Sequence, residues 1–347
     1  MPSTGGASQQ GLWRRLAPWA VGILMLLGLV LVVDLNEVLD AMGKANLAVY
    51  LPLSMLFILI WLSIETLNLS SLLKRFGYTR PLSELAAVRA YTYLLMVLNY
   101  NLGVGGIALY LRSTVGVPLA EASSLMLFYM YAELVSLTAM CVVGAAIFGS
   151  GHHVGTIALI ALAFLVGSTI LIYLYRRFGN HLPRGLGELS ALASFRQASL
   201  ATYANVIIGR GFYFLAFIVF FYLALPTFSV DVPFTALLVL VPAIFFIGNL
   251  PISAAGLGTM QAAMLFFFAS YGSEANIAAF SIVYSGTLIL LRLPLGLGAS
   301  VRHSSLIFGP RQALEEPLID VRESSDEKVA LSIHQDALID YNNARQQ

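Results

Sequence analysis

Long runs of apolar positions, separated by short polar clusters, set the pattern of this chain almost from end to end. Leu16 to Val33, Leu47 to Ile64, Ala122 to Phe148, Ile157 to Tyr175, Tyr203 to Leu225, and Ile277 to about Ser300 are each long enough to cross the hydrocarbon core as a helix. Between them lie two apolar stretches that do not run on cleanly. Leu82 to Leu111 is interrupted by NYNLGVGG, and Pro233 to Ser270 by NLPISAAGLG. Pro251 removes a backbone donor, while Gly103, Gly105, Gly106, Gly256 and Gly258 permit angles that a helix interior does not use. In lipid, freed N–H and C=O groups survive only when buried in protein or lining a wet cavity. The pattern therefore predicts an all-α polytopic membrane protein: about six spanning helices plus two Gly/Pro-broken re-entrant hairpins.

The order apolar arm, Gly-rich break, short arm, Gly, Glu-Ala, long helix occurs twice, at Gly116 to Ala122 and again at Gly272 to Ala275. Such paired interrupted segments point to a transporter's binding site. Arg14, Arg15, Lys74, Arg75, Arg80, Arg112, Arg176, Arg177, Arg184, Arg196, Arg302 and Arg311 all fall on one side if each hairpin enters and leaves by the same face. The positive-inside rule makes that side cytoplasmic, together with both termini, and predicts a multi-pass protein of the cell (inner) membrane. An odd number of spans separates the hairpins, so they open from opposite sides as an inverted repeat. Residues 1–12 read as a disordered N-terminus, 13–302 as one membrane domain, and 303–347 as a polar, acidic cytoplasmic tail. Asp34 to Lys44 reads as a short charged loop. Glu65 reads as the interfacial end of the second span, followed by an amphipathic stretch, and Leu182 to Leu200 as an interfacial amphipathic helix.

Composition narrows the chemistry. The chain is 59% hydrophobic and 11% charged with a formal charge of +1, which argues against a nucleic-acid partner. Cys141 is its single cysteine, so an intramolecular disulfide cannot form. Phosphate-loop, zinc-protease and serine-elbow motifs do not occur, and His152 with His153 forms a pair without a third ligand. Neither a cofactor nor a metal is expected.

Ionisable residues inside spans are costly, about 2.5–3.5 kcal/mol each at a helix centre on insertion scales. Arg89, Glu133, Arg210 and Arg292 are of this kind. Their functional reading is a cavity in which the arginines hold a lipid phosphate and Glu133 acts as counter-ion. The bland alternatives are a helix-locking ion pair between Glu133 and Arg89 or Arg210, and an Arg292 that snorkels to the interface. The breaks add Asn99, Asn101, Gly105, Gly106, Arg112, Asn249, Pro251, Ser253, Gly256, Gly258 and Gln261 as candidate substrate contacts, with half-helices starting at Gly106 and Gly258 aimed at an anion. Against this, glycines in membrane helices often serve only close packing.

The two broken stretches resemble those of the lysylphosphatidylglycerol synthase integral-membrane family, the flippase-like membrane proteins. Gly103 to Pro118 is similar to that family's Gly-rich segment, and Ser253 to Gln261 to its Ser-Pro-Gly-Gly-Leu-Gly-x-x-Glu turn. The sequence departs at Ala254 and Ala255, where Pro and Gly are usual, at Gln261, where Glu is frequent, at Ile107, and in the displaced Arg112. The resemblance implies movement of a phospholipid or lipid-linked saccharide between leaflets, beside a glycosyltransferase or lipid synthase partner in envelope biosynthesis. It carries no transferase domain with it, so the chain is expected not to be an enzyme. The competing readings are a polyprenyl-phosphate-sugar glycosyltransferase using Asp34, Glu37 and Asp40, and a scaffold for an envelope synthase.

Overall fold

The computed structural model describes residues 34–98, 100–148, 152–178, 192–249 and 258–308, and every regular element among them is helical. In chain order these are α1 (Leu35–Lys44), α2 (Leu47–Arg75), α3 (Leu82–Leu98), α4 (Tyr100–Tyr110, continued by a π-helical turn Leu111–Val115), α5 (Leu119–Phe148) and α6 (His152–Phe178). After them come α7 (Ala193–Gln197), α8 (Leu200–Ala224, closed by a 3-10 turn Leu225–Phe228), α9 (Phe234–Asn249), α10 (Thr259–Phe268) and α11 (Glu274–Phe308). Five of them are long and apolar enough to cross a membrane, in α2, α5, α6, α8 and α11. These match five expected spans; the first, Leu16 to Val33, lies outside the described residues.

The chain from Asp34 to Lys44 is a helix, not a loop. Its charges conceal an amphipathic period: Val38 and Ala41 are buried while Leu35 and Leu39 face outward. Asp34 accepts the Asn36 N–H at 2.8 Å as the N-cap, and Lys44 pairs with Asp40 one turn away.

The second span also differs from expectation. Helix α2 does not stop at Glu65 but continues ten residues further to Arg75. What looked like an interfacial segment docks on α8 instead. Asn68 Nδ2 donates to the Gly209 carbonyl at 2.9 Å, and Ser71 Oγ donates to Asn205 Oδ1 at 2.7 Å. Gly209 permits that approach, because a Cβ there would lie 2.5 Å from Asn68 Oδ1. Polar side chains that find partners across a helix interface need no water, so the helix continues in a buried setting.

Two pairs of short helices, α3 with α4 and α9 with α10, each pack against one another where the hairpins were expected. Helix α9 spans 16 residues and α10 only 10, or about 24 and 15 Å at 1.5 Å per residue, each short of a bilayer core of about 30 Å. The first break, however, is not at the glycines. Gly103, Gly105 and Gly106 lie inside α4, and Gly106 starts no half-helix. Two of them serve packing: a Cβ at Gly103 would fall 2.2 Å from Met96 Cγ, and one at Gly106 2.7 Å from Leu95 Cδ1. Small residues let the two helices approach closely, which here outweighed their cost to helix propensity. The second break behaves as expected at its edges. Helix α9 ends at Asn249, and α10 begins after Gly258, whose φ of +85° favours glycine. Pro251, Ser253 and Gly256 lie between, outside the described residues.

Helix α8 is central, packing on α2, α5 and α9. Its Phe214, Phe217, Phe220 and Phe221 meet Phe57 of α2, Phe245 of α9 and Tyr284 of α11, mostly edge to face, as aromatic quadrupoles prefer. Helix α6 is the opposite case, with little of its span buried, as suits a helix facing lipid hydrocarbon.

Candidate functional site

Four helices carry a charge one turn from an aromatic ring. Trp61 precedes Glu65 on α2, Arg89 precedes Tyr93 on α3, Tyr129 precedes Glu133 on α5, and Arg210 precedes Phe214 on α8. Side chains at i and i+4 share a helix face, so each helix presents a charge and a ring to the same side. The fold turns those sides toward one another.

The resulting cluster is continuous. Arg89 Nη2 contacts Glu65 Oε1, and Tyr93 donates its hydroxyl proton to Glu65 Oε2 at 3.0 Å. Arg210 bridges the two carboxylates, with Nη1 3.8 Å from Glu65 Oε1 and Nη2 2.6 Å from Glu133 Oε2. Arg210 Nη1 also donates to the Tyr129 hydroxyl at 3.1 Å, and its guanidinium lies 3.8 Å from the Tyr213 ring centroid. Asn249, the last residue of α9, donates to Glu133 Oε1 at 3.2 Å and so ties α9 to the cluster. The four charged residues are 1–5% exposed. Removing one partner from a buried pair leaves an uncompensated charge, at a cost of about 3–5 kcal/mol.

Arg292 of α11 completes the group. It does not snorkel: its guanidinium lies 4.5 Å from the Trp61 ring centroid and 5.6 Å from that of Tyr93. Tyr93, which donates to Glu65, lies beside the Arg292 guanidinium and so joins it to the cluster. Three guanidiniums against two carboxylates leave the cluster with one formal positive charge. Such an arrangement can hold an anion without stripping its own framework, provided that the anion shares the arginines with Glu65 and Glu133.

Of the residues expected from sequence, Arg89, Glu133, Arg210, Arg292 and Asn249 come together, and others do not. Arg112 is exposed in the π-helical turn, and no ion pair joins it to the cluster among the described residues. Gln261 is buried, but its two ends hold local structure: Oε1 accepts the Gly258 N–H at 2.7 Å and Nε2 donates to Ser285 Oγ at 2.9 Å. Gly105 has open space where a side chain would begin. Asn99 lies outside the described residues, as do Pro251, Ser253 and Gly256, and Asn101 is described only as part of α4. The contributor that reading by hydropathy overlooked is Glu65. Its signal was present in Trp61 one turn before it, because an aromatic ring four residues from a charge, on either side, also marks the other three helices.

Two carboxylates at α1 are locally engaged. Asp34 caps α1 and Asp40 pairs with Lys44, and no group of three potential metal ligands occurs among the described residues.

Residues 19–296 match the family described as the lysylphosphatidylglycerol synthase TM region. The chain belongs to that family. All the charged residues of the cluster, Glu65, Arg89, Glu133, Arg210 and Arg292, fall inside the matched span. No curated protein matches the chain. As a lysylphosphatidylglycerol synthase TM region with five candidate spans, the chain is a multi-pass membrane protein, and its membership fits a lipid-related role in the cell envelope.

Proposed function

We propose that this chain moves the anionic headgroup of a phospholipid or lipid-linked saccharide between the leaflets of the cell (inner) membrane. The observation that supports this most is the buried, positively charged cluster of Arg89, Arg210 and Arg292 with Glu65 and Glu133, built where helix ends from the second hairpin reach the bundle interior. Intramembrane charges of this kind mark substrate paths more often than they mark stability, since well-packed apolar residues would hold the helices at lower cost.

In this reading the headgroup phosphate displaces one carboxylate from its arginine, while the acyl or prenyl chains remain in lipid. The α3–α4 and α9–α10 pairs act as re-entrant hairpins of an inverted repeat, and rocking of one against the other exposes the cluster to each side in turn. Asn249 couples that movement to Glu133. Both termini are cytoplasmic, and a glycosyltransferase or lipid synthase supplies or receives the lipid. The chain performs no covalent step. The glycosyltransferase alternative gains nothing from Asp34 and Asp40, which cap and brace their own helix.

The test is fluorescent-lipid movement in proteoliposomes, comparing wild type with Arg210→Ala across anionic phospholipids and polyprenyl-phosphate sugars. Movement of one class, lost in a variant that elutes as folded protein, supports transport. Absence of movement for every class with folded wild type refutes it.

A further inference from the structure

The α3–α4 pair is joined to the chain before and after it through two glycines in the left-handed region. Gly77, at φ +86°, lies just past the end of α2, and Gly116, at φ +82°, follows the π-helical turn that closes α4. A Cβ at either would meet nothing within 4 Å, so these glycines supply backbone conformation and not close packing. Between the two joints the pair is fastened as one body. Met96 and Leu95 of α3 fill the space that side chains at Gly103 and Gly106 of α4 would need. Nearer the joints, Tyr110 donates to Glu84 Oε1 at 2.5 Å, and Arg80 Nη2 donates to the Thr114 carbonyl at 3.0 Å. The end of α11 belongs to the same body, since Gly296 lies against Leu94 and the Ala90 carbonyl of α3. That connection has a weak point too: Pro294, two residues earlier, removes a helix hydrogen bond where helices kink.

A hydrogen bond crosses the two glycine joints. Tyr78, the residue after Gly77, donates its hydroxyl proton to Glu121 Oε1 at 2.9 Å, and Glu121 lies in the first turn of α5, beyond Gly116. The Tyr78 N–H also bonds the Leu73 carbonyl of α2 at 2.9 Å, so this residue pins the joint between α2 and α5. Deeper in the bundle, the same body carries Arg89 and Tyr93, whereas their partner Glu65 belongs to α2. A turn at the joints therefore draws Arg89 away from Glu65. We infer that the α3–α4 pair and the end of α11 swing as a unit about Gly77, Gly116 and Pro294, and that the Tyr78–Glu121 hydrogen bond is the latch that holds this swing closed. The latch regulates access to the charged cluster and rests on the transport reading for that purpose, while the movement itself is a property of the fold.

The experiment uses the full chain in nanodiscs, with Cys141→Ala, and measures distances between spin labels by double electron–electron resonance. Ser83→Cys with Ala120→Cys spans the joints from α3 to α5, and Ser83→Cys with Leu109→Cys stays within the body; all three positions are exposed. Across the joints, a main short distance and a minor longer one are expected. Tyr78→Phe should raise the longer component about fivefold, the equivalent of one hydrogen bond of about 1 kcal/mol. Glu121→Gln keeps an acceptor for Tyr78 and should stay near the starting distribution. Within the body, a single distance is expected throughout. A folded Tyr78→Phe protein with an unchanged distribution across the joints overturns the latch, and a distribution that also splits within the body overturns movement as a unit. If Tyr78→Phe does not fold, Glu121→Ala removes the same bond from the other side and decides. Lipid scrambling is followed in proteoliposomes of the same proteins, where Tyr78→Phe should change the rate several-fold; an unchanged rate with opened joints overturns the latch's role in access. Joints that open in a chain scrambling no lipid sink transport but leave the hinge standing; scrambling with joints that never open does the reverse.

Discussion

Replacing Glu65 by Gln tests the central claim about the bundle interior, because it deletes one charge while keeping the shape of the side chain. Glu65 is 3% exposed and accepts from Tyr93 while contacting Arg89, with Arg210 3.8 Å away. The amide can still accept the Tyr93 proton through its own oxygen, so that bond of about 1 kcal/mol is retained. Arg89 loses the carboxylate it contacts, and the formal charge of the cluster rises from one to two. Breaking a buried pair costs about 3–5 kcal/mol, and the retained hydrogen bond brings the expectation to roughly 2–4 kcal/mol. The assay is reversible unfolding in mixed micelles, followed by helix content, for wild type, Glu65→Gln, Arg89→Gln and the double variant. The two single losses should not add: the cycle is expected to yield a coupling of about 0.5–3 kcal/mol, because the second change removes a charge that the first left unpaired. An exposed carboxylate at a helix end behaves differently, with losses near 0–1 kcal/mol and little coupling. A Glu65→Gln loss below about 0.5 kcal/mol would refute the buried network and restore the interfacial reading.

The glycines of α4 separate packing from propensity. Gly103→Ala places a methyl 2.2 Å from Met96 Cγ and 3.2 Å from the Thr92 carbonyl, and is expected to destabilise by about 1–3 kcal/mol in the same unfolding assay. Gly105→Ala meets open space inside a helix and is expected to stabilise by about 0.5–1 kcal/mol. Gln261→Glu keeps the acceptor for the Gly258 N–H but removes the donor to Ser285, so thermal stability in detergent should fall by about 1–3 kcal/mol, and back-substitution of Ser285→Ala should recover part of it. In the connection before α3, burial and, after it, the hydrogen bond to Glu121 together push the Tyr78 hydroxyl up to about 12. That tyrosine stays protonated and donating well past neutrality. A Tyr78→Phe variant should therefore lose about 1 kcal/mol at pH 7 and the same at pH 9, a pH-independent loss measurable by thermal unfolding.

Hydropathy alone settled that this is an all-helical membrane protein and located five described spans, because the cost of exposing polar backbone to hydrocarbon leaves helices few alternatives. It also identified Arg89, Glu133 and Arg210 as intramembrane charges, since an isolated charge in an apolar run is conspicuous without any knowledge of its neighbours. Residues whose local surroundings are polar were harder to read. Glu65 begins a stretch with Thr66, Asn68, Ser70 and Ser71, and that stretch resembles a helix end until α8 supplies the acceptors that keep it buried. The same holds for the glycines of α4: a sequence specifies a missing side chain, but only the neighbouring Met96 and Leu95 show that the space is occupied by another helix. Arg292 looked free to reach the interface, and its inward turn follows from Trp61 and Tyr93, which come from two other helices. The charges were thus written in the sequence one at a time, whereas their pairing and net balance were decided by which helix faces meet, and that is set by packing across residues far apart in the chain.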